Sequence, residues 1–189
     1  MSTGWILAAV AAAIVVYLIV VFNRLVRQRN VVREGWSGID VQLKLRTDLV
    51  PSLVETVKGY AAHERSLFEE IASRRAASVA ASDVGGQANA ERALSGSLGK
   101  LMAVAEAYPD LKANQNFLEL QKQLSETEDN IQMARRYYNG AVRNLNISIQ
   151  SFPDVIVARM LGFREEPFFE LESRAEGAVP QIGFPGGRA

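Results

Sequence analysis

The sequence predicts an all-α protein, with an N-terminal transmembrane helix continuing into a long-helix antiparallel helical bundle of coiled-coil-like character. Three observations predict it. Trp5 to Phe22 is an unbroken stretch of 18 residues without a charge or strongly polar group; at about 1.5 Å of rise per residue a helix of that length covers roughly 27 Å, enough to span a bilayer core. Beyond it, apolar residues recur at alternating steps of four and three, the spacing of one packed helix face. No stretch shows the two-residue alternation, bounded by hairpin turns, that a half-buried strand requires.

Composition supports this partition. The 189 residues carry 21 basic and 21 acidic side chains, and the mean hydropathy is zero. None of those charges lies in residues 1–22, so a spanning segment is averaged with a strongly charged remainder. A neutral chain lacks the excess of Lys and Arg that phosphate binding needs, so nucleic acid is not an expected partner. With no cysteine and a single histidine, His63, thiolate metal sites, disulfides, thiol nucleophiles and lipoprotein processing are excluded, and no cofactor is expected.

Residues 1–4 read as a short extracytoplasmic N-terminus and 5–22 as the transmembrane helix. Trp5, Tyr17 and Phe22 suit interfacial placement. The segment lacks the basic leader of a signal peptide, and Ala11 to Ala13 lie inside the apolar run rather than after it, so an uncleaved anchor is expected. Arg24, Arg27, Arg29 and Arg33 follow the run and no basic residue precedes it. The positive-inside bias then predicts a single-pass protein of the plasma (inner) membrane, with its N-terminus out and its main domain cytoplasmic.

Residues 23–163 read as the helical domain. The first seam runs through Val32, Trp36, Ile39, Leu43, Val50, Leu53, Val57, Tyr60, Leu67 and Ile71, interrupted only by Arg46 and Glu64. The expected helix runs on from the anchor as a rigid stalk to about residue 77. Pro51 should kink it by deleting a backbone hydrogen bond. Gly35, Gly38 and Gly59 mark either close approach of another helix or weak spots. Residues 78–90, with Gly85-Gly86, read as the connection to a second helix, about Asn89 to Ala107, whose apolar face is Leu94, Leu98, Leu101, Met102 and Ala105.

Tyr108-Pro109-Asp110 ends that helix, because proline fits the first turn of the next one. A third helix carries Phe117, Leu120, Leu124, Thr127, Ile131, Ala134, Tyr138, Ala141 and Leu145 on its seam, which then shifts to Ile149 and Phe152. Pro153 starts a short fourth helix, Asp154 to Leu161, stopped by Gly162. The pattern is lost in residues 164–189, an acidic and then Gly/Pro-rich tail expected to be mobile, with Phe168 and Phe169 as candidates for docking on the bundle.

Chemistry-bearing patterns are sparse. His63-Glu64 is not the arrangement that sets two imidazoles on one metal, and one histidine cannot furnish the paired Glu-x-x-His motifs of a di-metal bundle. An exposed histidine at the distal end of the bundle is expected instead. Arg46 sits on the apolar seam near Asp40 and Asp48, so it must find carboxylates or reach water; Glu126, Glu128 and Asp129 on the third helix are the expected partners. Arg135-Arg136-Tyr137-Tyr138 has the look of a base-stacking patch, but Tyr138 belongs to the seam. No phosphate loop, nucleophile elbow or metal site is recognisable.

Taken together, Val26-Arg27-x-Arg29-Asn30-x-Val32, Trp36-Ser37-x-Ile39-Asp40-Val41-Gln42-Leu43 and the run from Arg46 through Asp48, Pro51 and Gly59-Tyr60-Ala61 to His63-Glu64 resemble the LemA family of bacterial membrane proteins. Ala134-Arg135-Arg136-Tyr137-Tyr138-Asn139, Val142-Arg143-x-Leu145-Asn146, Gln150-Ser151-Phe152-Pro153 and Phe168-Phe169-Glu170 resemble the second half of that family. The resemblance covers about residues 22–170. It implies a single-pass anchor and a cytoplasmic helical domain, and it brings no established catalytic activity; one relative takes part in magnetosome membrane formation, and some are encoded near membrane metallopeptidases.

The leading expectation is a non-enzymatic membrane-anchored scaffold or assembly protein that contacts the lipid bilayer and self-associates through its helices, because a lone chain could leave the seam near the membrane uncovered. An accessory or regulatory partner of a membrane protease or envelope-stress system is the alternative, and would require a specific membrane-protein partner. An enzyme acting through His63 and Glu64 is a third reading. Trp36, Asp40, Arg46, Asp48, Pro51, His63, Glu64, Arg135, Tyr138, Phe152 and Pro153 are the candidate structural or interaction residues.

Overall fold

The computed structural model describes residues 3–170. Helix α1, Thr3–Lys58, runs unbroken from the apolar stretch into the bundle. It is followed by α2, Arg65–Ala80; α3, Val84–Glu106; the single turn α4, Pro109–Lys112; α5, Gln115–Gln150; and α6, Asp154–Met160. No strand occurs among the described residues. The fold is all-α.

Helices α1 and α5 lie antiparallel: Gly35 meets Tyr138, Arg46 meets Glu128, and Tyr60 meets Asn114. At the far end α2 and α3 fold back as a hairpin against them. Four helices therefore form a head, and only α1 and α5 continue as a stalk. The head core gathers Val50, Leu53, Val57, Leu67, Phe68, Ile71, Leu94, Leu98, Leu101, Phe117 and Leu124. The stalk core runs from Val21 and Leu25 through Val32, Ile39 and Leu43, with Tyr138, Val142, Leu145 and Phe169 opposite.

Apart from Tyr60, the seam of the first helix is thus covered within one chain, so the seam near the membrane does not by itself call for a second copy. At Gly35 the two helices approach so closely that a Cβ would sit 3.1 Å from the Tyr138 Cα. Gly38 has open space around it and Gly59 only ordinary contact, so neither marks a close approach.

Helix boundaries differ most from the sequence expectation in two places, and in a third the turn opened by Pro109 stops at Lys112 before α5 starts at Gln115. The first helix was expected to reach residue 77, but it ends at Lys58, and the chain turns over residues 59–64 before α2. Val57 and Glu64 are one seven-residue repeat apart, so the seam keeps its phase across the turn and periodicity is blind to it. Turning lets Leu67, Phe68 and Ile71 pack back on Val50, Leu53 and Val57, and burial of that apolar surface outweighs a straight continuation. Tyr60, expected on the seam, is exposed, and its hydroxyl accepts a 3.0 Å bond from the Asn114 side chain.

The second difference is the connection expected at 78–90, which shrinks to residues 81–83. Asp83 caps α3 by accepting a 2.8 Å bond from the Gly86 backbone N–H, drawing Gly85 and Gly86 into the first turn. A Cβ on Gly86 would lie 2.8 Å from the Asp83 carboxylate, which is why glycine suits that turn. Asn114 caps α5 in the same way, accepting from Phe117 N–H at 3.1 Å. Pro51 lies inside α1, exposed, and the helix continues through it to Lys58.

After α6, Gly162 takes φ +72°, a conformation that costs glycine little, and turns the chain back along the stalk. Residues 163–170 then run extended beside α1 and α5. This part of the expected mobile tail is fastened rather than loose, as the bonds below show. The rest of the tail, residues 171–189, lies outside the described residues.

Candidate functional site

A polar layer separates the two apolar cores where the head gives way to the stalk. Its centre is Arg46, whose side chain is 1% exposed. The guanidinium pairs with the equally buried Glu91 of α3 and, at 2.6 Å, with Glu128 of α5; it also donates to Ser95 Oγ at 2.9 Å. The other Glu91 oxygen accepts from Ser78 of α2 and, at 2.8 Å, from Gln87 Nε2. Arg75 reaches across from α2 to donate to the Thr47 carbonyl at 2.7 Å. All four helices of the head are joined here by charge-assisted bonds, which hold one register because few other alignments would bring these partners together, although the buried Arg46 Nε has no partner of its own.

Glu128 is one of the three acids expected for Arg46. Glu126 instead faces Lys122 at 3.9 Å, and Asp129 is exposed. The principal partner, Glu91, escaped the sequence reading. A signal for it existed: Gln87 and Glu91 extend the Leu94, Leu98, Leu101 and Ala105 face of α3 by heptad steps, so a carboxylate stands on a core seam just as Arg46 does.

A groove of about 280 Å³ opens beside the layer, lined by Asp40, Lys44, Thr47, Asp48, Arg75 and Gln87 among others. Asp40 and Asp48 lie on its rim, exposed, and neither reaches Arg46. Elsewhere on the head, Lys100 at 3.0 Å and Ser97 hold the Glu70 carboxyl below its ordinary range. His63 is exposed in the turn before α2, and Glu64 is the half-buried residue preceding that helix. No group of three or more His, Cys, Asp or Glu side chains able to hold a metal occurs among the described residues.

The extended segment makes the second organised place. Asn146 of α5 clamps Glu166, donating to its carbonyl and accepting from its N–H, both at 2.9 Å. Asn139 clamps Phe169 identically, at 3.1 and 2.9 Å. Each asparagine thus substitutes for a neighbouring strand. Tyr138 donates to the Pro167 carbonyl at 2.9 Å. Burial, with the Glu166 charge adding to it, pushes the Tyr138 hydroxyl up to about 12. The Phe169 ring is fully buried, 5.9 Å from Trp36, which in turn stands 5.7 Å from Tyr138.

Of the remaining candidates, Arg135 is half-buried on α5, while Phe152 and Pro153 are exposed at the α5–α6 corner. Tyr138 faces the core and Tyr137 is exposed, so the basic–aromatic run is an ordinary helix face rather than a stacking platform.

One feature distinguishes the N-terminal part of α1 from a soluble core helix. It is long and apolar enough to cross a membrane, and its most apolar 18-residue window is only 6% buried by the rest of the chain. An exposed apolar helix rigidly continuous with a stalk and a four-helix head defines a membrane-associated helical-bundle protein. The chain belongs to the LemA family, whose sequence model matches residues 35–184. Similar proteins include magnetosome protein MamQ 2 of Paramagnetospirillum magneticum, 26% identical over 90% of this chain and 73% of the relative. The magnetosome protein MamQ of Magnetospirillum gryphiswaldense is 25% identical with the same coverage. Protein LemA of Metamycoplasma hominis is 27% identical over 78% of this chain and 68% of its own length.

Proposed function

We propose that the protein is a non-enzymatic scaffold of the bacterial plasma membrane, anchored by a single pass of α1 with its N-terminus outside and its head in the cytoplasm. One observation carries this reading: α1 is a single helix from Thr3 to Lys58 that is exposed and apolar at one end and forms the core of the head at the other. A flexible linker would let an attached domain diffuse about its anchor. A continuous helix instead fixes the height and direction of the head, which is what an assembly platform requires. Arg24, Arg27, Arg29 and Arg33 beyond the apolar run support the cytoplasmic assignment.

Sidedness is tested by replacing Gly99, exposed on α3, with cysteine in a chain that has none of its own. A membrane-impermeant thiol reagent should label Gly99→Cys only after the cells are opened, and labelling of intact cells would reverse the topology. The scaffold role is tested by capture of the full chain from native membranes with crosslinking at the head. Copies of this chain or a defined membrane protein should be recovered in stoichiometric amount. A head that captures nothing, and a chain that stays monomeric in mild detergent, would sink the scaffold reading.

A further inference from the structure

Helix α6 presents two unlike faces. Val157 and Ala158 are buried in the stalk core with Val21 and Leu25. Opposite them, Ile156 and Met160, one turn apart, are 52% and 75% exposed, and Phe152, in the corner just before α6, is 82% exposed. Leu161 is exposed beside them. An isolated apolar residue at the surface means little, but several large ones gathered on one short helix and the corner before it require an occupant.

The position of α6 along α1 names that occupant. Asp154, at the start of α6, accepts a 2.7 Å bond from the Tyr17 hydroxyl and pairs with Arg24. Phe163, just after α6, makes an edge-to-face pair with Phe22 at 6.3 Å, and the Arg29 guanidinium lies over its ring, 5.1 Å from the centroid. Tyr17 is five residues inside the end of the apolar run, about 7.5 Å along the helix. The whole run covers only about 27 Å of a hydrocarbon core about 30 Å thick, so none of it can be spared from the bilayer. A side chain held by Tyr17 therefore cannot stand clear of the membrane surface.

We propose that α6 and the corner before it form a second membrane contact, a foot whose Phe152, Ile156 and Met160 face lies in the lipid interface beside the anchor. Its chemistry suits that depth. The side chains of that face are apolar, the Asp154 charge is neutralised by Arg24, and Arg24, Arg27 and Arg159 would stand at headgroup level, where basic side chains extend towards lipid phosphates. Two contacts at the interface would fix the rotation of α1 about its own axis as well as its depth, which a single span leaves free. The inference rests on α1 being the anchor.

Depth-dependent fluorescence quenching separates the two readings. The full chain is prepared with a single cysteine at Phe152, Ile156 or Met160, or at control positions Ile14 within the apolar run and Leu118 near the distal end of α5. Each is labelled with a polarity-sensitive fluorophore and reconstituted into vesicles of phosphatidylethanolamine and phosphatidylglycerol. Lipids spin-labelled near the headgroup should quench the three foot positions at least about two-fold, lipids labelled deep in the chain should quench Ile14, and neither should affect Leu118. Quenching at Ile14 but not at the foot overturns the foot and leaves the anchor standing. Quenching at the foot without Ile14 overturns the anchor and leaves the foot as a peripheral contact. Unquenched foot positions whose emission shifts with protein-to-lipid ratio would overturn the proposal in favour of a second copy covering this face.

Discussion

The charged layer at the junction of head and stalk makes its two acids unequal, and that inequality can be measured. Glu91 and Arg46 are both 1% exposed at the side chain, whereas Glu128 is 36% exposed. Removing Glu91 leaves a buried guanidinium with one carboxylate and orphans the Ser78 hydroxyl, while the Gln87 amide loses one bond and keeps the one it donates to the Ser78 carbonyl. Breaking a buried pair of this kind costs about 3–5 kcal/mol. Removing Glu128 leaves a gap that water can enter, so its loss should cost about 1 kcal/mol or less. Unfolding of the full chain in mild detergent by urea, followed by far-ultraviolet circular dichroism, should show the Glu91→Ala midpoint lowered by about 1–2 M and the Glu128→Ala midpoint only slightly.

The double replacement Arg46→Met with Glu91→Leu removes both charges together and should recover most of the loss. It should settle about 1–2 kcal/mol below the parent, because the buried Ser78 hydroxyl still lacks its partner. Equal effects of Glu91→Ala and Glu128→Ala would refute the burial argument. A double variant no more stable than Glu91→Ala would show that the layer contributes net stability rather than alignment.

Other expectations follow from packing and from the extended segment. Gly35→Ala should destabilise by about 1–2 kcal/mol, because its Cβ meets helix backbone at Tyr138, while Gly38→Ala, with nothing within 4 Å, should be neutral or stabilising by up to about 1 kcal/mol in the same urea assay. Asn139→Ala removes both bonds to Phe169 and should raise amide hydrogen exchange at Glu166 to Phe169 while leaving α2 and α3 protected; unchanged exchange would mean that Phe169 burial alone holds the segment. Since the Tyr138 hydroxyl is pushed up to about 12, the folded state keeps its proton where an unfolded tyrosine, near 10, has lost it. Its contribution is therefore complete below pH 10 and declines as pH rises towards 12, and Tyr138→Phe should delete a step near pH 12 in an ultraviolet titration.

Much of the architecture was legible because burial follows simple periods. The α5 seam from Phe117 to Leu145 and the stops at Pro109 and Pro153 were visible as spacing and backbone chemistry alone. The turn at 59–64 was hidden because it spans one heptad, so apolar spacing on its two sides stays in step although the chain direction reverses. Asn139 and Asn146 were hidden for another reason. They act on the backbone of residues far along the chain, and an asparagine on a helix carries no mark of a distant partner. Both nevertheless fall inside the stretches that carry the family resemblance, as do Trp36, Tyr138 and Phe169, so the motif text held the extended segment's contacts without showing their geometry.

The foot, the extended segment and the charged layer are coupled by position along α1. Asp154 fixes α6 at Tyr17 and Arg24, the segment after α6 packs on Trp36, and Arg46 locks the head one more heptad beyond Ile39. Residues 163–170 thus connect the membrane end of the stalk to the base of the head, and Arg92 of α3 donates to the Glu170 carbonyl at 3.2 Å. Displacement of α6 by a change at the bilayer surface would pull on a segment held by Asn146, Tyr138 and Asn139 in turn. That arrangement gives the stalk a third mechanical path beside α1 and α5, so releasing the segment with a Phe169→Ala replacement should loosen the junction of head and stalk before it loosens the head. Hydrogen exchange would show this as faster exchange around Trp36 and Tyr138 with protection retained at Leu94 and Leu98, and uniform loss across both regions would show that head and stalk unfold as one unit.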